Sequence, residues 1–110
     1  MLNTVFLVGR IKDDPRIITK NGKEEVSLIV GVQRPFKNSD GIYDTDYLKC
    51  ILWNIVASST ADYCKTGDLV GLKGRLQGKT YDNEDNEMEY DTEFIVEKIT
   101  FLSSKDEGDK

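Results

Sequence analysis

Apolar residues gather in five runs along the chain, and residues that favour turns separate the runs. They cover residues 2–11, 26–33, 43–53, 69–81 and 88–102. In the second run apolar and polar side chains alternate, which is the period of a β-strand with one buried face. Pro15 ends the first run because it lacks a donor for the β-ladder, and Asn21-Gly22 favours a hairpin turn. The pattern predicts five strands, with a brief extra extended segment at Ile17-Ile18.

One helix is predicted between the third and fourth runs. Asn54 has the chemistry of a helix N-cap, residues 55–65 have helical periodicity, and Gly67 suits the position just after a helix. The order β-β-β-α-β-β, with long strands bent at glycines, predicts an all-β, five-stranded Greek-key barrel of the OB-fold type. A β-sandwich without the helix is the alternative. The core positions expected from this pattern are Val5, Leu7, Val26, Leu28, Val30, Leu48, Leu52, Leu72, Leu76 and Val96.

Composition excludes several classes of protein. With 110 residues the chain has the length of one domain, and no apolar stretch approaches the ~18 residues of a membrane span. The first residues lack the features of a signal peptide, so we expect a cytoplasmic protein without a membrane partner. Two cysteines and no histidine are too few for a zinc site, and no Ser/His or Cys/His nucleophile pair exists. We therefore expect no metal, no cofactor and no enzymatic activity.

Charge divides the chain into two parts. Residues 1–81 hold 12 Lys/Arg against 9 Asp/Glu, whereas residues 82–110 hold 3 against 11, and the net charge of the whole chain is −5. A mildly basic body with an acidic end is compatible with an anionic ligand. The alternative to an anionic ligand is that the acidic segments only increase the solubility of the protein.

Aromatic and cationic side chains alternate on the outward faces of two runs. The outward positions of the third run are Tyr47, Lys49, Ile51 and Trp53. Those of the fourth run are Lys73, Arg75, Gln77, Lys79 and Tyr81. Rings stack on nucleic-acid bases of any sequence and cations neutralise phosphates, so this mixture suits an extended polynucleotide. An ordinary solvated sheet face is the competing interpretation.

A third group of this kind is Arg34-Pro35-Phe36-Lys37. Alternate positions of the second run face the core, and continuing that alternation assigns Phe36 to the core face. Because Pro35 interrupts the β-ladder, the direction of the Phe36 side chain stays open. The stacking candidates are Phe36, Tyr47, Trp53 and Tyr81. The phosphate-binding candidates are Arg10, Arg34, Lys37, Lys49, Lys73, Arg75 and Lys79.

Several stretches together resemble the bacterial single-stranded DNA-binding protein family over residues 1–102. They are LNTVFLVGR at 2–10, DP at 14–15, NGK at 21–23, TDYLKCILW at 45–53, Tyr63 with Gly67-Asp68, and GRLQGKTY at 74–81. The resemblance implies sequence-independent binding of single-stranded DNA on an OB-fold, in replication, repair or recombination. It also implies that Tyr47, Trp53 and Tyr81 are stacking residues, with Phe36 matched across a loop of variable length.

The resemblance further implies a homotetramer, and a dimer is the alternative. Phe6 and Val8 lie on the outward face of the first run, where pairing between subunits could occur. Family members carry an acidic C-terminal tip ending in Pro-Phe that recruits other enzymes, and residues 103–110 lack it. We expect these residues to be a short, disordered acidic tail that does not recruit replication or repair enzymes.

Two other functions compete with binding of single-stranded DNA. One is an OB-fold protein–protein adaptor of the primosome type that binds nucleic acid weakly. The other is an OB-fold nuclease that uses paired carboxylates and a divalent metal. Pairs such as Asp44/Asp46 and Glu87/Glu89 have the spacing of solvated strand ends and no supporting ligand, which disfavours the nuclease.

Overall fold

The computed structural model describes residues 1–53 and 63–104, and the regular elements there are six β-strands. They are β1 (Val5–Ile11), β2 (Arg16–Lys20), β3 (Lys23–Lys37), β4 (Tyr43–Trp53), β5 (Leu69–Asp82) and β6 (Met88–Ser103). The all-β prediction is confirmed. Most of the predicted helix at 55–65, and the tail at 105–110, lie outside the described residues. Among the described residues, no helix has the length and apolarity to cross a membrane.

The sixth strand, β2, comes from the segment after Pro15 that the sequence predicted only as a brief extension. It pairs with β3 through a hairpin whose turn residues, Asn21 and Gly22, have φ angles of 51° and 75°. Both residue types tolerate positive φ, as the Asn-Gly signal required. The prediction of five strands was therefore one strand short, because the turn allows a full hairpin where the sequence shows only two isoleucines.

The strands form one sheet in the order β1-β5-β6-β4-β3-β2. The pairing of β4 with β6 is parallel and the others are antiparallel. In addition, β1 pairs with β3 at Arg10↔Gly31 and Ile11↔Val30. Each of β1, β3, β4, β5 and β6 thus has two neighbours in a closed ring of pairings, and β2 is added to the outside of β3. A single sheet is not the two-sheet sandwich considered as the alternative.

Two glycines permit close backbone contacts in this ring. A Cβ atom on Gly9 would collide with the carbonyl oxygen of Gly31, where β1 meets β3. A Cβ atom on Gly74 would collide with the carbonyl oxygen of Ile95, next to a register shift between β5 and β6. Only glycine fits such approaches, and a shift in register adds local bending to the strand.

The core lies inside the ring of strands. Its buried members are Ile11, Val26, Leu28, Val30, Cys50, Leu52, Cys64, Val70, Leu72, Phe94 and Val96, with Val5 and Leu7 packed against them in part. The prediction for Leu76 was wrong, since this residue is 46% exposed. It lies beyond Gly74, the last residue of β5 that pairs with β1. On that side the Asn3 side chain takes the place of a strand, since it accepts a hydrogen bond from the Leu76 N–H at 3.0 Å and donates one to the Leu76 carbonyl at 2.7 Å. Leu48 is half-buried and lines an open cleft with Leu76 rather than the closed core.

Two hairpins extend from the ring, and we call them the β3–β4 arm (residues 33–45) and the β5–β6 arm (residues 75–91). In the first, the side-chain oxygen of Asn38 accepts hydrogen bonds from the backbone N–H groups of Asp40 and Ile42, at 2.8 and 3.0 Å. Its amide donates to Asp44 at 3.1 Å, and Gly41 adopts a φ of 77°. The asparagine thereby satisfies the polar backbone of the turn.

The β5–β6 arm is closed in the same way. The side-chain oxygen of Asn83 accepts hydrogen bonds from the N–H groups of Asp85 and Glu87 at 2.9 and 3.0 Å, and its amide donates to Glu89 at 3.0 Å. Asn86, with a φ of 60°, is at the position in this turn that corresponds to Gly41 in the β3–β4 arm. Both arms therefore end in turns with the same internal hydrogen bonds.

Candidate nucleic-acid interface

Alternation along the third run predicted four outward residues, and one of them, Ile51, is buried with 4% of its surface exposed. Tyr47 and Lys49 are exposed, while Trp53 is half-buried. The register places them opposite Gly31, Ile29 and Glu25 of β3. Because the facing members of an antiparallel pair project to the same side, these residues share one surface.

Tyr47 is 59% exposed, and its ring lies against Gly31. A Cβ atom on Gly31 would lie 3.2 Å from Cε1 of the ring and 3.2 Å from the methyl group of Thr45. These separations are tight, so any larger residue at position 31 would push the ring away from the sheet. The missing side chain thus lets an aromatic ring lie across the neighbouring strand.

A cleft of about 550 Å³ extends from this ring to β1. Arg10, Lys12 and Tyr47 line it together with Gln33 and Thr45. The Arg10 guanidinium donates a hydrogen bond to the Gly67 carbonyl oxygen at 2.9 Å, an uncharged partner that leaves its positive charge in place. The Lys12 ammonium lies 4.5 Å from the centroid of the Tyr47 ring. Cations therefore border the exposed ring on its β1 side.

Sequence reasoning missed Lys12. The signal that could have found it is parity, because Lys12 follows Arg10 by two residues and shares its side of the chain. Its backbone N–H donates to the Ile29 carbonyl at 2.8 Å, so the chain is still held against β3 just beyond the end of β1.

Lys73 does not join this cleft. It pairs with Phe6 of β1, and its ammonium lies 6.0 Å from the Phe6 ring. Phe6 and Lys12 are six residues apart along an extended chain, which corresponds to about 20 Å. Lys73 therefore lies on a separate part of the outward face.

The cations of the β5–β6 arm face carboxylates of β6. Arg75 lies 4.0 Å from Glu97, and Lys79 pairs in register with Asp91. Tyr81 is exposed opposite Glu89 and donates its hydroxyl to that carboxylate at 3.3 Å. This register weakens the positive field that the sequence of β5 suggests.

Arg34 is also paired with carboxylates. Its guanidinium donates to both oxygens of Asp46, at 2.8 to 3.1 Å, and lies 3.8 Å from Asp44. This hydrogen-bonded pair raises the pKa of Arg34 and lowers the pKa of Asp46. Asp46 alternates with Tyr47 along β4, so the ion pair lies on the opposite face from the ring.

Phe36 and Lys37 lie at the end of the β3–β4 arm. Phe36 is 63% exposed, within the register shift between Gln33 and Lys37. Lys37 is paired with Tyr43, and its ammonium lies 5.7 Å from that ring. The structure therefore brings Arg10 and Tyr47 together in one cleft. Lys49 and Trp53 lie farther along the outward face of β4, and the other candidates lie on the arms or beside Phe6.

The two cysteines lie in the core rather than at this surface. Burial raises the pKa of the Cys50 thiol to about 12, so it stays protonated at neutral pH. Burial, and then the charge of Asp68, also raise the pKa of Cys64. Within residues 1–53 and 63–104, no group of three or more potential ligands could hold a metal ion.

Comparison with known proteins gives a consistent family assignment. Residues 2–102 match the model of the single-strand binding protein family. The chain is 40% identical over 106 residues to single-stranded DNA-binding protein B of Bacillus subtilis, covering 96% of this chain and 94% of that protein. It is 38% identical over 109 residues to single-stranded DNA-binding protein 3 of Listeria innocua, covering 98% of this chain and 68% of that protein. The chain belongs to the single-strand binding protein family.

Proposed function

We propose that this chain binds single-stranded DNA without sequence preference and performs no chemistry on it. The strand exposed in the cytoplasm during replication, repair or recombination is its ligand. The observation that carries the proposal is the exposed Tyr47 ring, which lies against Gly31 and is bordered by the cations Arg10 and Lys12. An exposed ring with one face turned away from the sheet and positive charge beside it suits stacking of a base and neutralisation of its phosphate.

The proposal includes an OB-fold barrel with a short helix at 55–65, which together form the binding domain at residues 1–102. The closed ring of pairings, with β4 and β6 parallel, supports the barrel. Residues 103–110 are the tail of this proposal. Together these features suit a small barrel that presents one outward face to a polynucleotide.

The proposed contacts fall into groups with different support. The stacking residues are Tyr47, Trp53, Tyr81 and Phe36, and the phosphate-binding residues are Arg10, Arg34, Lys37, Lys49, Lys73, Arg75 and Lys79. The strongest support is for Arg10, which lines the cleft with Tyr47 and has no ion pair among the described residues. Lys49 lies two residues beyond Tyr47 on the same face of β4 and lines a second cleft with Leu48 and Leu76. Arg34 and Arg75 have the weakest support, because carboxylates already offset their charges.

Assembly into a homotetramer, or a dimer, is part of the same proposal. Phe6 is 71% exposed on the outward face of β1, and Val8 beside it is also exposed. Apolar side chains of this size on a strand suit a contact with another subunit. Light scattering with and without a long oligonucleotide measures the size of the assembly.

The intrinsic fluorescence of Trp53 tests the function. It is the only tryptophan, so its emission reports on the outward face of β4. We expect quenching by a single-stranded dT oligonucleotide at low salt and little change with a duplex of equal length. The binding constant should fall with salt at about −0.7 in the logarithmic slope for each phosphate contact.

Emission that does not change with the dT oligonucleotide at low salt, together with no retention of labelled oligonucleotide by the protein, would contradict the proposal. That result would favour the protein–protein adaptor. The nuclease predicts cleavage of the strand when magnesium or calcium is added. Asp44 and Asp46 are engaged by Arg34, which does not support such a site.

A further inference from the structure

Lys12 lies over the aromatic ring on which the proposed function depends. Its ammonium is 4.5 Å from the centroid of Tyr47, and the backbone of Gly31 lies against that ring. With Gly31 against the ring, the surface left for a base is the one that Lys12 overhangs. The hydrogen bond from the Lys12 N–H to Ile29 holds the lysine backbone at this place.

In the part of the chain that the structure describes, the Lys12 ammonium contacts an aromatic ring rather than a carboxylate. Within the two described ranges it forms no ion pair with a carboxylate. The nearby Asp14 instead accepts hydrogen bonds from the N–H and hydroxyl of Thr66, at 2.8 and 2.7 Å. Among the described residues, the ring of Tyr47 is thus the group that the ammonium contacts.

We propose that Lys12 is a positioning residue that covers the Tyr47 ring in the free protein and moves to a phosphate when a base stacks there. This inference rests on the proposed function. A base that approaches the ring must displace the ammonium, which costs binding free energy. A nucleotide brings a phosphate with it, and the displaced ammonium can neutralise that phosphate. Stacking at Tyr47 is therefore favoured for a charged strand over an uncharged base.

The proposal predicts two opposite effects of one substitution. Lys12→Gln removes a phosphate contact, so the logarithmic salt slope of binding should become less steep by about 0.7. It also uncovers the ring, so binding extrapolated to about 1 M salt should become tighter by about two- to fivefold, the range for an exposed cation–aromatic contact. Plots of the logarithm of the binding constant against the logarithm of salt concentration should therefore cross for the wild type and the variant between about 0.1 and 0.4 M salt. The variant should bind more weakly than the wild type below the crossing and more tightly above it.

The experiment titrates a fluorescently labelled dT oligonucleotide by anisotropy at five or more salt concentrations. Lys23→Gln is the matched control, because Lys23 is an exposed lysine at the start of β3, in the hairpin with β2. Its line should coincide with that of the wild type. In a Tyr47→Ala background, Lys12→Gln should no longer increase the affinity at high salt, because no aromatic ring remains for the substitution to uncover.

Three results would overturn the inference. Parallel lines for the wild type and Lys12→Gln would show that Lys12 contacts no phosphate. A shallower salt slope for Lys12→Gln without tighter binding at about 1 M salt would show that Lys12 contacts a phosphate but does not cover the Tyr47 ring. A gain that persists in the Tyr47→Ala background would place its cause away from the ring. If the wild type itself binds no oligonucleotide, the proposed function fails, and that outcome differs from all three.

Discussion

Replacement of Tyr47 by alanine is the most direct test of the proposed stacking surface. The side chain is 59% exposed and outside the core, so its removal should leave the fold intact. Base stacking on a ring contributes ~1–3 kcal/mol in comparable alanine substitutions. The base must also displace Lys12, whose contact with the ring is worth ~0.5–1 kcal/mol. We therefore expect a loss in the lower part of that range, about 1–2 kcal/mol, or about five- to thirtyfold in affinity.

The assay is the anisotropy of a labelled dT oligonucleotide at fixed salt, with thermal melting of each variant to confirm folding. Tyr90→Ala is the matched control, because Tyr90 is 78% exposed on β6 and lies on the β5–β6 arm away from the cleft. It should bind the oligonucleotide as tightly as the wild type. Wild-type affinity in Tyr47→Ala would refute stacking at this ring. An equal loss in both variants would show that removal of any exposed tyrosine weakens binding, without a special role for the cleft.

Two further predictions concern stability. Gly9→Ala should lower the free energy of unfolding by about 1–3 kcal/mol in chemical denaturation, because the added Cβ collides with the Gly31 carbonyl. Gly78→Ala, whose Cβ would have nothing near it, should change the free energy of unfolding little. Equal effects of the two substitutions would contradict the close approach of β1 and β3. Asp14 accepts hydrogen bonds from Thr66 that lower its pKa below 3.8, so its contribution to stability is present above that pH and disappears on acidification. Asp14→Asn should therefore melt at a lower temperature than the wild type at pH 7, with the difference shrinking toward pH 3, and a difference independent of pH would exclude the carboxylate charge as its cause.

The parts of the fold that depend on local pattern could be predicted from the sequence. Alternation along β4 separates Cys50 and Leu52 from Tyr47 and Lys49, because successive side chains of a strand point to opposite faces. The Asn21-Gly22 turn likewise follows from the backbone conformations that those two residues tolerate. Both features involve residues close together in the chain.

The errors arose where strands distant in the sequence determine the environment. Leu76 has the parity of a core residue, yet β1 no longer flanks β5 at that point. The position at which two strands part depends on their register, and parity within one strand carries no information about it. Phe94 was missed in the core for a similar reason, since its burial depends on the parallel contact of β4 and β6 at Cys50.

The candidate site shows the same division between local and distant information. The sequence predicted outward strand positions for Lys49, Lys73, Arg75 and Lys79, but it could not show which cations have acidic neighbours. Lys79 and Asp91 are brought together only by the register of β5 and β6, and Arg34 meets Asp46 only through that of β3 and β4. Lys12 was missed because it follows the last residue of β1 and belongs to no predicted strand face.

The distribution of acid explains how a chain with a net charge of −5 can present a positive surface. Much of the described part of the acidic segment lies in β6 and the turn before it, where Glu89, Asp91 and Glu97 face residues of β5. The cleft at Tyr47 is built instead from β1, β3 and β4, and its charged lining residues are Arg10 and Lys12. Salt screens exposed charges over about 10 Å, and no carboxylate is among the described residues that line the cleft, so Arg10 and Lys12 dominate the field at short range. Local charge around an exposed ring, rather than the net charge of the chain, therefore determines where a polyanion can bind.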